Sequence, residues 1–356
     1  MTRTVVGMSG GVDSSLVAAL CRERGDEVVG VTMKLWPCAE LDGGFTREDA
    51  CCSPTETIDA RAVAVGLGVR HYVVDAEDVF RREVVNGFVA AYRRGETPNP
   101  CVRCNESIKF GHLWDYAASV EADRVATGHY ARVERAFDRW ILRRSVDTAK
   151  DQTYFLFSLT QEQLARADFP LGGFTKDQVR EESRRRGIVT ADKGESQDIC
   201  FIGHDGVAGF LKREAPDAFR PGEIRHQDGR VLGEHQGLAG FTIGQRKGLG
   251  VAWTEPLYVT AIDVAANAVV LGPRETLMET TLRLRDCTWH GGSLPAGIDV
   301  RVRPRYRSAG LRARIEADGD GAVVHFAEPQ TRAASGQACV VYDADDAYCL
   351  GGGWIV

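Results

Sequence analysis

The sequence predicts an α/β protein, in which an N-terminal parallel-sheet domain is followed by a small β-rich central domain and a C-terminal β-barrel. A chain of 356 residues exceeds one ordinary hydrophobic core. Strand-length apolar runs alternate with helical segments in its first part, which indicates a parallel sheet covered by helices. Short alternating strands and glycine turns replace this pattern from about residue 221 onward. The predicted domains are residues 1–205, 206–272 and 273–356.

The composition is that of a globular protein from a reducing compartment. Hydrophobic residues make up 44% of the chain and charged residues 26%. Arg3 interrupts the N-terminal apolar run, and no stretch approaches the roughly eighteen apolar residues of a membrane span, so neither a signal peptide nor a membrane partner is expected. Ten cysteines suit the cytoplasm and favour reactive or metal-binding thiols. With a net charge of −6, any nucleic-acid surface must be local.

The chain opens with a strand at residues 4–6, a glycine-rich turn and a helix that Gly25 ends. The glycines of the turn let the backbone approach a ligand, and donors are supplied by the first helical N–H groups and by Ser9, Ser14 and Ser15. A phosphate-like anion is therefore expected here. Neither G-x-x-x-x-G-K-[ST] nor G-x-G-x-x-G is present, and an ordinary glycine-rich turn is the alternative.

The alternation of strands and helices continues after this opening. Strands are predicted at 27–33, 69–74 and 124–127, and helices at 55–67, 77–94 and 107–121. Ligands of a parallel sheet lie at the carboxyl ends of its strands, which places Met33 near a nucleotide base, with a core methionine as the alternative.

Three local patterns follow. Two prolines predict a rigid loop over 97–105. Residues 131–133 and 140–142 are expected to form a hairpin. Thr175 and Gln178 form a capping box that opens a helix ending at Gly187.

Three cysteines stand out by their spacing. Cys101 and Cys104 form a C-x-x-C, and Cys200 follows 96 residues after Cys104. A closed zinc site needs four ligands, so it would have to recruit Cys51, Cys52 or His129. Cys200 as an inert buried thiol is a further alternative, and that interpretation suffices for Cys21, Cys287, Cys339 and Cys349.

The turn resembles the PP-loop of ATP pyrophosphatases, the adenine nucleotide alpha-hydrolase-like enzymes that cleave ATP between its α and β phosphates. The resemblance rests on Ser9-Gly10-Gly11-Val12-Asp13-Ser14. It implies that Asp13 helps to hold Mg²⁺. It also implies an ATP site formed by Gly7, Met8, Ser9, Gly10, Gly11, Val12, Asp13, Ser14, Met33 and Gly128.

With this loop and the three cysteines together, the chain resembles the tRNA-specific 2-thiouridylases of the MnmA/TrmU type. The matching stretches run from end to end, at residues 7–14, 33–36, 97–110, 126–130, 150–152, 199–203, 233–237, 244–250 and 350–353. The resemblance implies a tRNA-uridine 2-sulfurtransferase that adenylates the C2 oxygen of the wobble uridine. A sulfur nucleophile then displaces AMP, which is a better leaving group than the oxygen alone.

In that family the later cysteine, here Cys200, carries a persulfide received from a sulfur-donor protein. Cys104 attacks or releases the sulfur, and a Cys104–Cys200 disulfide results. Some members have aspartate where this chain has Cys101, so a carboxylate proposed as general base is missing. An iron–sulfur cluster on Cys101, Cys104 and Cys200 is the alternative way of handling sulfur.

The resemblance also implies tRNA contacts. The flipped target base would meet Asn99, Pro100 and Cys101. Other tRNA contacts would come from His129, Lys150, Asp151, Gln152, Arg305, Tyr306 and Gln337. Strand alternation over 301–307 would put four arginines on one face unless Pro304 breaks it, and Arg312 and Arg314 would extend this patch.

Two other functional classes stay open. A small-molecule adenylating ligase could use the same loop without tRNA or thiols. A non-catalytic tRNA-binding or iron–sulfur redox protein could use the cysteines without cleaving ATP.

Overall fold

The computed structural model of the chain describes residues 1–36, 54–136, 138–194, 199–294 and 297–356. Cys51 and Cys52 lie outside the described residues. The chain forms two compact units. The first comprises Met1–Val84, Cys101–His204 and Ala347–Leu350, and the second comprises Val85–Pro100, Asp205–Asp346 and Gly351–Val356.

The first unit is built on a five-stranded parallel sheet and a hairpin. The strands in this part of the chain are β1 (Arg3–Gly7), β2 (Glu27–Lys34), β3 (Arg70–Asp75), β4 (Arg124–Ala126), β5 (Ala131–Ala136), β6 (Arg139–Arg144) and β7 (Ala167–Asp168). The sheet has the order β3-β2-β1-β4-β7, and all neighbours are parallel. The predicted hairpin is confirmed as β5–β6, with Val133 opposite Leu142.

The helices that accompany these strands are α1 (Val12–Glu23), α2 (Pro54–Leu67), α3 (Glu77–Phe80), α4 (Asn86–Arg93), α5 (Pro100–Cys104), α6 (Leu113–Ser119), α7 (Gln161–Arg166) and α8 (Lys176–Arg185). Helix α4 belongs to the second unit. π-Helical turns span Arg81–Val85 and Asn105–His112, and 3₁₀ turns span Thr153–Leu156 and Pro170–Gly173. The predicted capping box is confirmed, since Thr175 and Gln178 bond each other's backbone N–H groups.

Successive residues of β1 point to opposite faces of the sheet and enter two different cores. Val6 packs on the side of α1 with Leu16 and Val17, and all three are fully buried. Val5 packs on the other side with Leu113 of α6 and Val125 of β4. Helices therefore cover both faces of the parallel sheet, as the sequence predicted.

Two predictions about local structure are wrong in part. The expected rigid loop over 97–105 becomes helical at Pro100, because proline is tolerated at the first position of a helix, where its missing N–H is not needed. Cys101 and Cys104 are therefore helical residues. The predicted helix over 77–94 is interrupted by a π-helical turn between α3 and α4.

Besides α4, the second unit contains a further helix, a four-stranded sheet and most of a closed barrel. Helix α9 (Gly206–Glu214), which the sequence analysis missed, precedes β8 (Gly222–His226), β9 (Val231–His235), β10 (Tyr258–Asp263) and β11 (Ala268–Gly272). These strands form a sheet in the order β10-β11-β8-β9. Further 3₁₀ turns span Pro216–Ala218, Leu238–Gly240 and Arg274–Leu277.

The barrel strands are β12 (Met278–Trp289), β13 (Val300–Arg303), β14 (Leu311–Asp318), β15 (Gly321–Thr331), β16 (Ala338–Tyr342) and β17 (Tyr348–Ile355). They run in the order β12-β15-β14-β13-β16-β17, and pairing of β17 with β12 closes the ring. The predicted C-terminal barrel is thus confirmed.

The expected face of four arginines over 301–307 is wrong. Strand β13 ends at Arg303, and Pro304 begins a turn, so the alternation stops there. Arg303 instead forms an ion pair with Asp346, in which both side chains are mostly buried.

In the part of the chain that the structure describes, no helix is long and apolar enough to cross a membrane.

Candidate functional site

The glycine-rich loop between β1 and α1 is held in place by its own serines. Ser14 Oγ accepts a hydrogen bond from Ser9 N at 3.1 Å, and Ser15 Oγ donates to the Gly11 carbonyl at 2.8 Å. Gly11 is the N-cap of α1, so the loop leads directly into the first helical turn. The unpaired N–H groups of that turn make the loop suited to an anion.

Gly10 is required by close packing. Its φ of +77° lies in the left-handed region, and a Cβ at this position would come within 2.1 Å of the Glu56 carbonyl oxygen. Lys193 bridges Gly10 and Glu56. Its Nζ lies 2.8 Å from Glu56 Oε1 and 3.4 Å from the Gly10 carbonyl oxygen. The loop is therefore fastened to the start of α2.

A cavity of about 200 Å³ lies at the carboxyl ends of β1, β2 and β4. This is where ligands of a parallel sheet are expected. Its walls include Cys104 and Lys109 of the helical stretch after Pro100. The other predicted site residues that line it are Gly7, Met8, Ser9, Asp13, Ser14, Met33, Gly128, His129 and Gln152.

Gly128 brings the end of β4 against the loop. A Cβ on this residue would lie 3.0 Å from Asp13 Cβ and 3.1 Å from Ser14 N. A side chain here would press on the first turn of α1, so only glycine fits without displacement.

Asp13 is held by two side chains that the sequence analysis did not single out. Lys176 Nζ donates to both carboxylate oxygens, at 2.8 and 2.9 Å, and the Tyr130 hydroxyl donates to Oδ1 at 2.9 Å. Lys176 lies 163 residues from Asp13 in the chain, and no sequence signal links the two. The adjacent capping box marks only a helix start.

His129 lies in the cavity wall and is 5% exposed. Burial lowers its pKa well below the usual value, and the nearby Lys109 ammonium lowers that pKa further. The Lys109 Nζ lies 3.5 Å from Nε2, and Thr127 Oγ1 lies 2.7 Å from Nδ1. The ring is therefore neutral at physiological pH.

The three candidate cysteines differ in exposure. Cys101 is exposed, whereas Cys104 and Cys200 are half-buried. Phe201, the residue after Cys200, is buried in a cluster with Phe80 and Trp36, whose ring it stacks on at a centroid distance of 6.3 Å. This cluster fixes the backbone beside Cys200.

Within the ranges that the structure describes, potential metal ligands are not grouped. Among the described residues, no three His, Cys, Asp or Glu side chains are placed to hold a metal ion. The zinc alternative and the cluster on Cys101, Cys104 and Cys200 therefore have no preformed ligand set in this part of the chain.

The segment 150–152 is tied to the residues around Asp13. Gln152 Oε1 accepts from Tyr130 N at 2.9 Å, and Gln152 N donates to Tyr130 O at 2.9 Å. Asp147 accepts from Lys150 N at 3.2 Å and from Lys176 N at 3.0 Å.

Asp151 is directed inward. Its side chain is buried, and its oxygens accept from Arg144 Nε at 3.1 Å, Ser145 N at 2.9 Å and Thr153 Oγ1 at 2.7 Å. The carboxylate therefore supports the segment from within the unit. Little of the Asp151 side chain is exposed for the expected direct contact with tRNA.

The second unit carries the remaining candidates for tRNA contact. Asn99 is half-buried and Pro100 is buried. Gln337 Nε2 donates to the Thr97 carbonyl at 2.6 Å, which links it to the chain just before Asn99. Arg305 is exposed and donates to the Arg332 carbonyl at 2.9 Å, and Tyr306 beside it is half-buried.

Family models match almost the whole chain. The matches are a tRNA methyl transferase HUP domain over residues 2–204, a tRNA methyl transferase PRC-barrel domain over 208–273 and an aminomethyltransferase beta-barrel domain over 279–355. The curated relatives carry a different name from these models. A tRNA-specific 2-thiouridylase MnmA from Heliobacterium modesticaldum is 46% identical, with 99% of this chain and 92% of that protein covered.

Proteins of the same name from Anaplasma marginale and Geobacter metallireducens are 46% and 45% identical. Each match covers 99% of this chain, with 90% and 96% of the respective relative. The chain belongs to the MnmA family of tRNA-specific 2-thiouridylases. The predicted family and fold class are thereby confirmed. In this MnmA-family protein, Cys104 lines the same cavity as Gly7, Met8, Ser9, Asp13 and Ser14 of the glycine-rich loop.

Proposed function

We propose that the protein catalyses ATP-dependent 2-thiolation of the wobble uridine of tRNA. The observation that carries this proposal is the shared cavity, in which the phosphate-binding loop with Asp13 and Ser14 meets the thiol of Cys104. An activating nucleotide and a sulfur-handling group are needed at one place for this reaction. A small-molecule ligase would have no use for the thiol.

The first step activates the base. The C2 oxygen of uridine attacks the α phosphorus of ATP, and pyrophosphate leaves toward the N–H groups of the PP-loop and α1. We propose that Gly7 to Ser14, Met33 and Gly128 hold the nucleotide.

Mg²⁺ fits this site because it is usually held by one or two carboxylates together with substrate phosphates. Asp13 would supply the carboxylate, and the ion would neutralise charge on the pyrophosphate.

The second step transfers sulfur. Cys200 carries a persulfide delivered by a sulfur-donor protein, and the terminal sulfur attacks C2 while AMP leaves. The Cys104 thiolate then attacks Sγ of Cys200, which breaks the bond to the transferred sulfur. The products are 2-thiouridine and a Cys104–Cys200 disulfide, which an external thiol must reduce.

tRNA binding is proposed for both units. Asn99, Pro100 and Cys101 would meet the flipped base. Further contacts would come from His129, the segment 150–152, Arg305, Tyr306 and Gln337, with Asp151 acting mainly through its support of that segment.

We propose the domain boundaries 1–205, 206–272 and 273–356, and a cytoplasmic location, where tRNA and reduced thiols are available.

The experiment is mass spectrometry of digested, unmodified tRNA after anaerobic incubation with the protein, ATP, Mg²⁺, cysteine and a cysteine desulfurase. We expect new 2-thiouridine that requires ATP. Cys200→Ser should abolish it while ATP binding persists. Cys287→Ser is the matched control, because burial raises the pKa of that thiol to about 11 and leaves it unreactive.

Two outcomes contradict the proposal. Thiolation by Cys200→Ser at the parent rate would remove Cys200 from the chemistry. ATP turnover that ignores tRNA, without new 2-thiouridine, would favour the small-molecule ligase.

A further inference from the structure

Lys176 is placed to control the charge of the ATP loop. Its ammonium contacts both oxygens of Asp13, and its side chain is 10% exposed. The same ammonium lies 5.7 Å from the ring centroid of Tyr130, whose hydroxyl also donates to Asp13. The half-buried Asp13 carboxylate thus has one cationic partner and one neutral partner.

The position of Lys176 is fixed by its backbone. It is the first residue of α8, directly after the capping residue Thr175, and its own N–H donates to Asp147 at 3.0 Å. A capped helix start restricts where the side chain can reach. The Lys176 to Asp13 contact is therefore a built feature and not one rotamer of a mobile surface lysine.

The other lysine that touches the loop has its charge already balanced. Lys193 forms ion pairs with Glu56 and Asp59, two carboxylates for one ammonium. It therefore adds no net positive charge beside the loop. Among the contacts of the described residues, Lys176 is the cation that compensates Asp13.

The contacts also limit how Asp13 can act. A carboxylate offers about four lone-pair sites, and Lys176 and Tyr130 take three of them. A metal ion at Asp13 would find about one site open unless Lys176 moved. The charge of the Asp13 carboxylate is consequently offset by Lys176, and about one of its lone-pair sites is left for a metal ion.

We propose that Lys176 is a positioning residue that cancels the charge of Asp13, so that the polyphosphate of ATP can enter the loop without meeting a bare carboxylate. This inference rests on the ATP site of the proposed function. It predicts that nucleotide binding in the absence of Mg²⁺ depends on Lys176. With Mg²⁺ present, the ion itself offsets the carboxylate, and Lys176 matters less.

The test is calorimetric titration of the intact protein with a non-hydrolysable ATP analogue, once with Mg²⁺ and once with a chelator. In Lys176→Met we expect the affinity to fall at least tenfold with the chelator and clearly less with Mg²⁺. Lys176→Arg should restore most of the loss. Arg184→Met, a matched cation on the same helix that pairs with Asp192, should change neither value.

Two further variants keep the test decisive. Tyr130→Phe removes a neutral donor and should weaken both titrations equally. Asp13→Asn combined with Lys176→Met removes the charge together with its partner, so that binding with the chelator should recover. The double variant also tests the inference if Lys176→Met alone folds poorly, because it leaves no carboxylate at position 13 without its cationic partner.

Equal losses with and without Mg²⁺ in Lys176→Met would overturn the inference, as would no loss at all. A parent protein that binds the analogue only with Mg²⁺ would overturn it too. These results are separable from the proposed function, because nucleotide binding is measured without tRNA. Parent protein that binds the analogue but makes no 2-thiouridine would contradict the proposed function alone.

Discussion

Replacing Gly10 with alanine tests whether the loop is fastened to α2 as the structure shows. The residue has a φ of +77°, and a Cβ would lie 2.1 Å from the Glu56 carbonyl oxygen and 2.8 Å from its carbon. Both neighbours are backbone atoms, so they cannot swing away as a side chain could. The neighbouring Gly11 has a φ of −87°, and the nearest atom to its Cβ would be Ser9 Oγ at 3.7 Å.

The expected magnitude follows from these contacts. A left-handed backbone costs an alanine about 1–2 kcal/mol, and forcing an extra carbon into a packed site costs about 1–3 kcal/mol. Gly10→Ala should therefore lower the free energy of unfolding by about 2–5 kcal/mol. Gly11→Ala should lower it by less than about 1 kcal/mol, because alanine there is only a poorer N-cap.

Urea unfolding of both variants and the parent, followed by circular dichroism, measures the difference. Binding of an ATP analogue should weaken in Gly10→Ala, because relieving the overlap moves the loop. Equal stability of the two alanine variants would refute the packing argument. It would mean that the loop and the start of α2 separate at little cost.

Other predictions concern buried polar groups. Asp151→Ala should cost about 3–5 kcal/mol in urea unfolding, because it leaves the Arg144 guanidinium buried without its carboxylate; a loss below about 1 kcal/mol would contradict this. His129 has a lowered pKa when folded, so the unfolded chain takes up its proton first as the pH falls below 6.5. The contribution of His129 to the free energy of unfolding should therefore be fully present above pH 6.5 and should decline below it, by up to about 1.4 kcal/mol per pH unit. His129→Gln should flatten this decline in urea midpoints, and an unchanged slope would remove His129 as its source.

Much of the fold could be predicted because its signals are local. The apolar run of β1, the capping box at Thr175 and the glycines of the loop each act within a few residues. The helix start at Pro100 was misjudged because proline signals both a loop and a first helical position, and only the surrounding packing decides between them.

The site was predictable only where it lies within a motif. The loop and Cys104 share a cavity, as expected of two elements at one edge of a parallel sheet. The contact of Lys176 with Asp13 depends on the way α8 packs, which a single sequence does not reveal. Asp151 belongs to a polar run that suggests an exposed segment, whereas its burial arises from three donors brought together by tertiary structure.

The segment 150–152 is bonded directly to Tyr130 and is linked through Asp147 to Lys176, the two residues that contact the Asp13 carboxylate. Gln152 holds the backbone of Tyr130, and Asp147 accepts from the N–H groups of both Lys150 and Lys176. Displacing this segment would break hydrogen bonds that hold the proposed nucleotide site, although the segment is far along the chain from the loop. A ligand that displaced the segment would therefore weaken the proposed nucleotide site without occupying it.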